Sequence, residues 1–154
     1  MKTRHKVIPA VYLIAMKDNR VLLGLRQNTA YCDGWLGLPS GHVELGESPI
    51  QAMIREAKEE IGMVLKPENL TFATVMARKN QDRECVDYFF VCDASSRTIT
   101  NCEPEKCSSW EFYDIENLPN KIIPYLQRAL RAVQKKQVYV EDGWGADCGD
   151  VFPG

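Results

Sequence analysis

The stretch Gly41-His42-Val43-Glu44-Leu45-Gly46-Glu47-Ser48-Pro49-Ile50-Gln51-Ala52-Met53-Ile54-Arg55-Glu56-Ala57-Lys58-Glu59-Glu60-Ile61-Gly62-Met63 decides how the rest of the chain is read. Its middle carries the start and stop signals of one helix. Ser48 supplies an N-cap oxygen, Pro49 takes the first helical position where no N–H is needed, and Gln51 can close a capping box. Gly62 supplies the stop, because helices often end on a left-handed residue that glycine adopts without steric cost. Between those signals Ile50, Met53, Ile54, Ala57 and Ile61 fall on one stripe at helical spacing, which predicts a buried face.

On the same helix Glu56, Glu59 and Glu60 are spaced i, i+3 and i+4, so three carboxylates share an arc of about 100° away from the apolar stripe. They are expected to face solvent. Like charges at this spacing destabilise a helix by roughly 0.2–0.5 kcal/mol per pair, and Arg55, one turn from Glu59, is the local counter-charge. A cation is therefore expected at this face. Mg²⁺ suits it, because that ion takes oxygen ligands and keeps waters that a phosphate can replace.

Outward from the helix, the chain alternates apolar runs with polar breaks. Residues 7–16 and 21–25 flank Lys17-Asp18-Asn19-Arg20 and predict a hairpin. Residues 35–39 form a short strand stopped by Pro39, with a tight bend at Ser40-Gly41-His42. Residues 70–77, 85–92, 98–102 and 110–113 predict further strands. A second helix is expected over residues 122–136, with Ile122, Tyr125, Leu126, Ala129 and Val133 on its apolar side. This order argues for an α/β (α+β) domain in which a mixed β-sheet is sandwiched between α-helices. The domain is placed at residues 1–137. Residues 138–154, rich in glycine and acidic side chains around Trp144 and Phe152, are assigned to a C-terminal tail, either loosely held or acting as a dimer arm or lid.

The chain has 154 residues, 45% hydrophobic and 26% charged, which predicts one folded domain and excludes a disordered chain. Nineteen Lys and Arg against 21 Asp and Glu give a net charge of -2, with no global basic field to hold duplex nucleic acid. The longest apolar run, Ala10 to Met16, is too short for a bilayer, so no membrane partner is expected and the protein is placed in the cytoplasm. The six cysteines form no CxxC pair and are read as reduced thiols.

The quoted stretch resembles the Nudix box, G-x5-E-x7-R-E-U-x-E-E-x-G-U, in which U is a bulky aliphatic residue. Gly41, Glu47, Arg55, Glu56, Glu59, Glu60 and Gly62 meet all of its invariant letters, a coincidence on the order of 10⁻⁶ or less by ordinary residue usage. Ala57 and Met63 depart mildly from the U positions, and Ser40 stands where many members have glycine. The resemblance covers 23 residues closely and the flanking strands loosely.

The resemblance implies a Nudix (MutT-like) fold and a hydrolase that cleaves the pyrophosphate linkage of a nucleoside diphosphate derivative. A nucleoside triphosphate giving monophosphate and pyrophosphate ranks ahead of a nucleotide sugar or dinucleotide. It implies Mg²⁺, with Mn²⁺ as the alternative, held by Glu56, Glu59, Glu60 and the main-chain carbonyl of Ser40. It also places a further acid shortly before Trp110, where Glu105 is preferred to Glu103. Arg55 and Glu47 would pair and orient the ligands, while Arg26 and Gly41 would meet the substrate. Trp35, Tyr88, Phe90 and Trp110 are candidates for stacking on a base, although aromatic residues in short strands more often pack in the core. A homodimer stays open, as does a non-catalytic nucleotide-sensing regulator, against which the intact acidic trio argues.

Overall fold

The computed structural model describes residues 2–145. Its strands are β1 (Ile8–Lys17), β2 (Arg20–Arg26), β3 (Leu36–Gly37), β4 (Ser40–His42), β5 (Thr71–Lys79), β6 (Glu84–Asp93), β7 (Cys107–Asp114) and β8 (Tyr139–Asp142); its helices are α1 (Pro49–Ile61) and α2 (Pro124–Gln134). The strands form one mixed sheet in the order β3-β2-β1-β6-β5-β8, with β4 joined to β1 and β7 to β2. Strand β1 is the spine. It runs parallel to β6 from Ile8 to Met16, while its other edge is shared between the β2 hairpin at Met16–Lys17 and β4 at Ala10–Tyr12.

Alternation along β1 sends successive side chains to opposite faces. Ala10, Tyr12 and Ile14 enter a core with Phe89, Met76 and the α2 residues Leu126, Ala129 and Leu130. Val11, Leu13 and Ala15 enter a second core with Ala52, Met53, Ala57 and Ile61 of α1. The sheet is thus sandwiched between the two helices, as the sequence predicts. Among the described residues no helix is long and apolar enough to cross a membrane, and Cys32, Cys85, Cys92, Cys102 and Cys107 are all free thiols.

Helix α1 has the predicted limits. Ser48 Oγ accepts from Gln51 N at 3.1 Å, the Gln51 side chain accepts from Ser48 N at 2.9 Å, and Gly62 is left-handed at φ 66°. The buried stripe is displaced from the predicted one. Ile50 is 37% exposed and Ile54 only half-buried, whereas Ala52 is fully covered. Helix α2 starts at Pro124, later than expected, because Ile123 N donates to Leu36 O and Leu36 N to Lys121 O, holding residues 121–123 against β3 before the helix turns in.

Three other expectations need correction. Residues 98–102 are not a strand: Thr100 N and Cys102 N donate to Ile61 O and Glu60 O, so this β-branched segment satisfies orphan carbonyls at the end of α1. The bend at Ser40-Gly41-His42 is the strand β4. Residues 139–142, assigned from sequence to a tail, pair in parallel with β5, and buried Asp142 lies 3.2 Å from Arg128 of α2. Trp144 Nε1 then donates to Ala77 O at 2.8 Å. Phe152 and the rest of 146–154 lie outside the described residues.

One charged pair is buried beneath α2. Arg78 of β5 donates through Nε to Asp87 Oδ2 of β6 at 2.6 Å, and its guanidinium lies 4.0 Å from the Tyr125 ring centre. The Tyr12 and Tyr125 hydroxyls meet at 3.0 Å beside it.

Candidate active site

Strand β4 crosses beneath α1 and brings Ser40 and Gly41 against its acidic face. A cavity of about 350 Å³ opens there, lined by Arg26, Thr29, Ser40, Gly41, Glu56, Glu59, Glu60, Glu103, Lys106, Cys107 and Trp110, with Gly24, Gly37 and Leu38 completing the wall. Helix α1 therefore delivers its three glutamates to one concave surface rather than to open solvent.

Their environments differ. Glu59 is half exposed at 54%, whereas the Glu56 side chain is 14% exposed. Glu60, expected to face solvent, lies inward and accepts from Ser40 N at 3.1 Å. Burial pushes its carboxyl up to about 8, and the charges of Glu56 and Glu103 add to that rise. Burial also raises the Glu56 carboxyl, against the opposing pull of Arg55.

Arg55 is the hub of the loop before the helix. It grips Glu47 with two bonds, Nε to Oε2 at 2.8 Å and Nη2 to Oε1 at 3.0 Å, and it also donates to Glu56 at 2.7 Å, Glu59 at 3.3 Å and the His42 carbonyl at 3.1 Å. The bidentate guanidinium holds the partly buried Glu47 carboxyl down to about 2. Arg55 thus ties loop to helix and fixes the base of the cavity.

Among the described residues no three acidic, His or Cys side chains converge as a ready-made metal cage. Glu56 and Glu59 are turned to Arg55, and Glu60 to the β4 backbone. The donor set nonetheless fits a hard cation: carboxylate oxygens dominate the wall, and a buried carboxyl held this high is what an adjacent cation would lower. Gly41 keeps that space open. A Cβ there would lie 2.2 Å from Glu56 Cδ and Oε1. Gly41→Ala is expected to turn Glu56 away and lower kcat by about 10²-fold, the scale of a roughly 1 Å misplacement, in a steady-state assay; an unchanged kcat would remove Glu56 from the site.

Of the other candidates, Arg26 reaches the cavity but spends Nε on Tyr31 O at 3.0 Å and Nη2 on Thr29 Oγ1 at 3.3 Å. Of the two acids before Trp110, Glu103 and not the preferred Glu105 lines the cavity. The turn closes with Lys106 N and Cys107 N donating to Glu103 O, which leaves Glu103 on the cavity wall and Glu105 exposed. Trp110 joins the wall, packed over Gly24, where a Cβ would meet its ring at 2.6 Å. Trp35 lies instead beneath the Lys121 ammonium at 4.7 Å, and Phe90 packs edge-on with Phe72. Lys106 and Cys107 were not read from sequence. Both follow a polar stretch whose turn register carries no periodic signal.

The NUDIX domain model matches residues 4–135. An ADP-ribose pyrophosphatase of Methanocaldococcus jannaschii is 32% identical over 120 residues, 77% of this chain and 69% of that protein. An 8-oxo-dGTP diphosphatase of Escherichia coli is 29% identical over 84 residues, 54% of this chain and 64% of that protein. The crystal structure of a MutT NUDIX hydrolase from Burkholderia pseudomallei has the same fold, with a TM-score of 0.74 at 23% identity over 82% of this chain and 98% of that one. With both cores, the acidic helix and the cavity inside the matched span, the chain belongs to the NUDIX family of hydrolases acting on nucleotide pyrophosphate bonds.

Proposed function

We propose that the protein is a Mg²⁺-dependent pyrophosphohydrolase of nucleoside diphosphate derivatives, with its chemistry at the α1–β4 cavity. The supporting observation is the buried Glu60 carboxyl beside Glu56 and Glu103, on a wall that also carries Arg26 and Lys106. A bound divalent ion would supply Lewis-acid neutralisation of the diphosphate. Glu56, Glu59 and Glu60, with the Ser40 carbonyl, are the groups placed to hold it, and Glu103 takes the role first assigned to Glu105. Arg55 and Glu47 keep these carboxylates oriented. Glu56 and Glu103 are the carboxylates placed to accept the proton of an attacking water.

The longer match to the ADP-ribose pyrophosphatase favours a nucleoside diphosphate sugar, ahead of the triphosphate ranked first from the sequence. A panel of triphosphates, nucleotide sugars and dinucleotides, incubated with Mg²⁺ and separated by chromatography, tests both. Release of nucleoside monophosphate and a sugar phosphate supports the first reading. Monophosphate with pyrophosphate supports the second, and no cleavage of any member rejects the hydrolase.

A further inference from the structure

Gln27 and Asn28, directly after β2, reach over to the turn that carries Glu103 and Lys106. Gln27 N donates to Lys106 O at 2.9 Å, Gln27 Nε2 to Pro104 O at 2.7 Å and Asn28 Nδ2 to Glu105 O at 3.1 Å. Three consecutive carbonyls of an exposed turn are thereby held by two residues from a distant part of the chain. Asn28 does this from a left-handed backbone, φ 54°, which asparagine tolerates better than most residues. An exposed turn is ordinarily among the mobile parts of a fold. This one is fastened at three consecutive carbonyls, so the two side chains it presents to the cavity start from a fixed base.

We propose that Lys106 is the anchor for a substrate phosphate, and that Gln27 and Asn28 are the positioning residues that hold its turn at the cavity. The assignment rests on the pyrophosphohydrolase reading and adds to it a cationic contact that the box does not contain. The wall carries four glutamates, which repel a diphosphate wherever a bound cation does not offset them, so a cationic side chain able to move adds an attraction at the rim. Arg26 is bound to its own loop through Nε and Nη2. Lys106 Nζ, by contrast, rests 3.6 Å from Glu103 Oε2 with its side chain 61% exposed. A contact that long and that wet contributes little. An ammonium on a flexible stem exchanges it for a charge-assisted bond to a phosphate oxygen. The same movement uncovers Glu103 on the wall that faces Glu56 and Glu60.

The test compares wild type, Lys106→Met, Lys106→Arg and Gln27→Leu. It reads KM and kcat on the substrate cleaved in the panel, and the calorimetric Kd of α,β-methylene-ADP, a diphosphate with no anhydride to cut. Lys106→Met is expected to raise KM and Kd about tenfold, with kcat within about threefold, as loss of one charge-assisted contact predicts. Lys106→Arg should return Kd to within about threefold of wild type. Gln27→Leu should raise Kd with Tm unchanged. A wild-type Kd in Lys106→Met, or a wild type that does not bind the analogue, overturns the anchor. A lower Tm with unaltered Kd in Gln27→Leu overturns the positioning role. A protein that binds the analogue through Lys106 yet cleaves nothing rejects the hydrolase and keeps the anchor.

Discussion

Glu60→Gln is expected to lower kcat by about 10³-fold while leaving the fold intact, the upper scale for removing one electrostatic contributor from a preorganised site. Among the three glutamates of α1 Glu60 is the one turned inward onto the β4 backbone, with its carboxyl raised to about 8 by burial. The amide keeps the size of the side chain and matches the neutral form that burial favours, so Tm measured without metal should equal or exceed that of wild type. What the variant loses is the charge that would meet a cation. Binding of Mg²⁺ and a nucleotide analogue to the native state raises an apparent Tm, and this gain should disappear in Glu60→Gln. Retained turnover, or an equal ligand-induced gain in both proteins, would remove Glu60 from the site. A variant that unfolds would instead assign the residue to the scaffold.

Asp87→Asn is expected to act in the opposite sense, on stability rather than on chemistry. Asp87 is fully buried and Arg78 is 6% exposed, and the change leaves a guanidinium stranded beneath α2 with a neutral partner. Breaking a buried pair from one side costs about 3–5 kcal/mol. For a domain of this size that lowers Tm by roughly 6 to 20 °C. Replacing both residues, as in Arg78→Met with Asp87→Leu, should recover much of the loss because no buried charge is left uncompensated. Thermal unfolding of the single and double variants checks this. A single variant within about 1 °C of wild type would show that the pair is dispensable. Turnover per folded molecule at low temperature should stay near wild type, since the pair faces α2 and the cavity faces α1.

The limits of α1 were legible because its caps are local: Ser48, Gln51 and Gly62 act within one turn of their own backbone. The orientation of its acidic face was not. Helical spacing places Glu60 opposite the apolar stripe, and only the passage of β4 beneath the helix makes that side an interior one. Residues 98–102 have the composition of a strand, yet their N–H groups go to the end of a helix, a choice settled by tertiary contact. Residues 139–142 failed the other way, because Asp142, a residue that pattern assigns to water, is buried against Arg128. Glu103 and Glu105 differ by two positions in a turn, and which of them meets the cavity is decided by the turn's own bonds from Lys106 N and Cys107 N to Glu103 O.

The parallel pairing of β1 with β6 bears on how the chain is made. Residues 8–16 have their longest partner at 85–93, so a nascent chain carries β1 without that neighbour until β6 has been synthesised. Helix α1 is complete by residue 61, before the floor it rests on can close. Such non-local pairings slow folding and leave strand edges exposed in the interim. The acidic helix therefore exists first as a solvated segment, and it becomes a cavity wall only when emergence of β6 lets the sheet shut behind it.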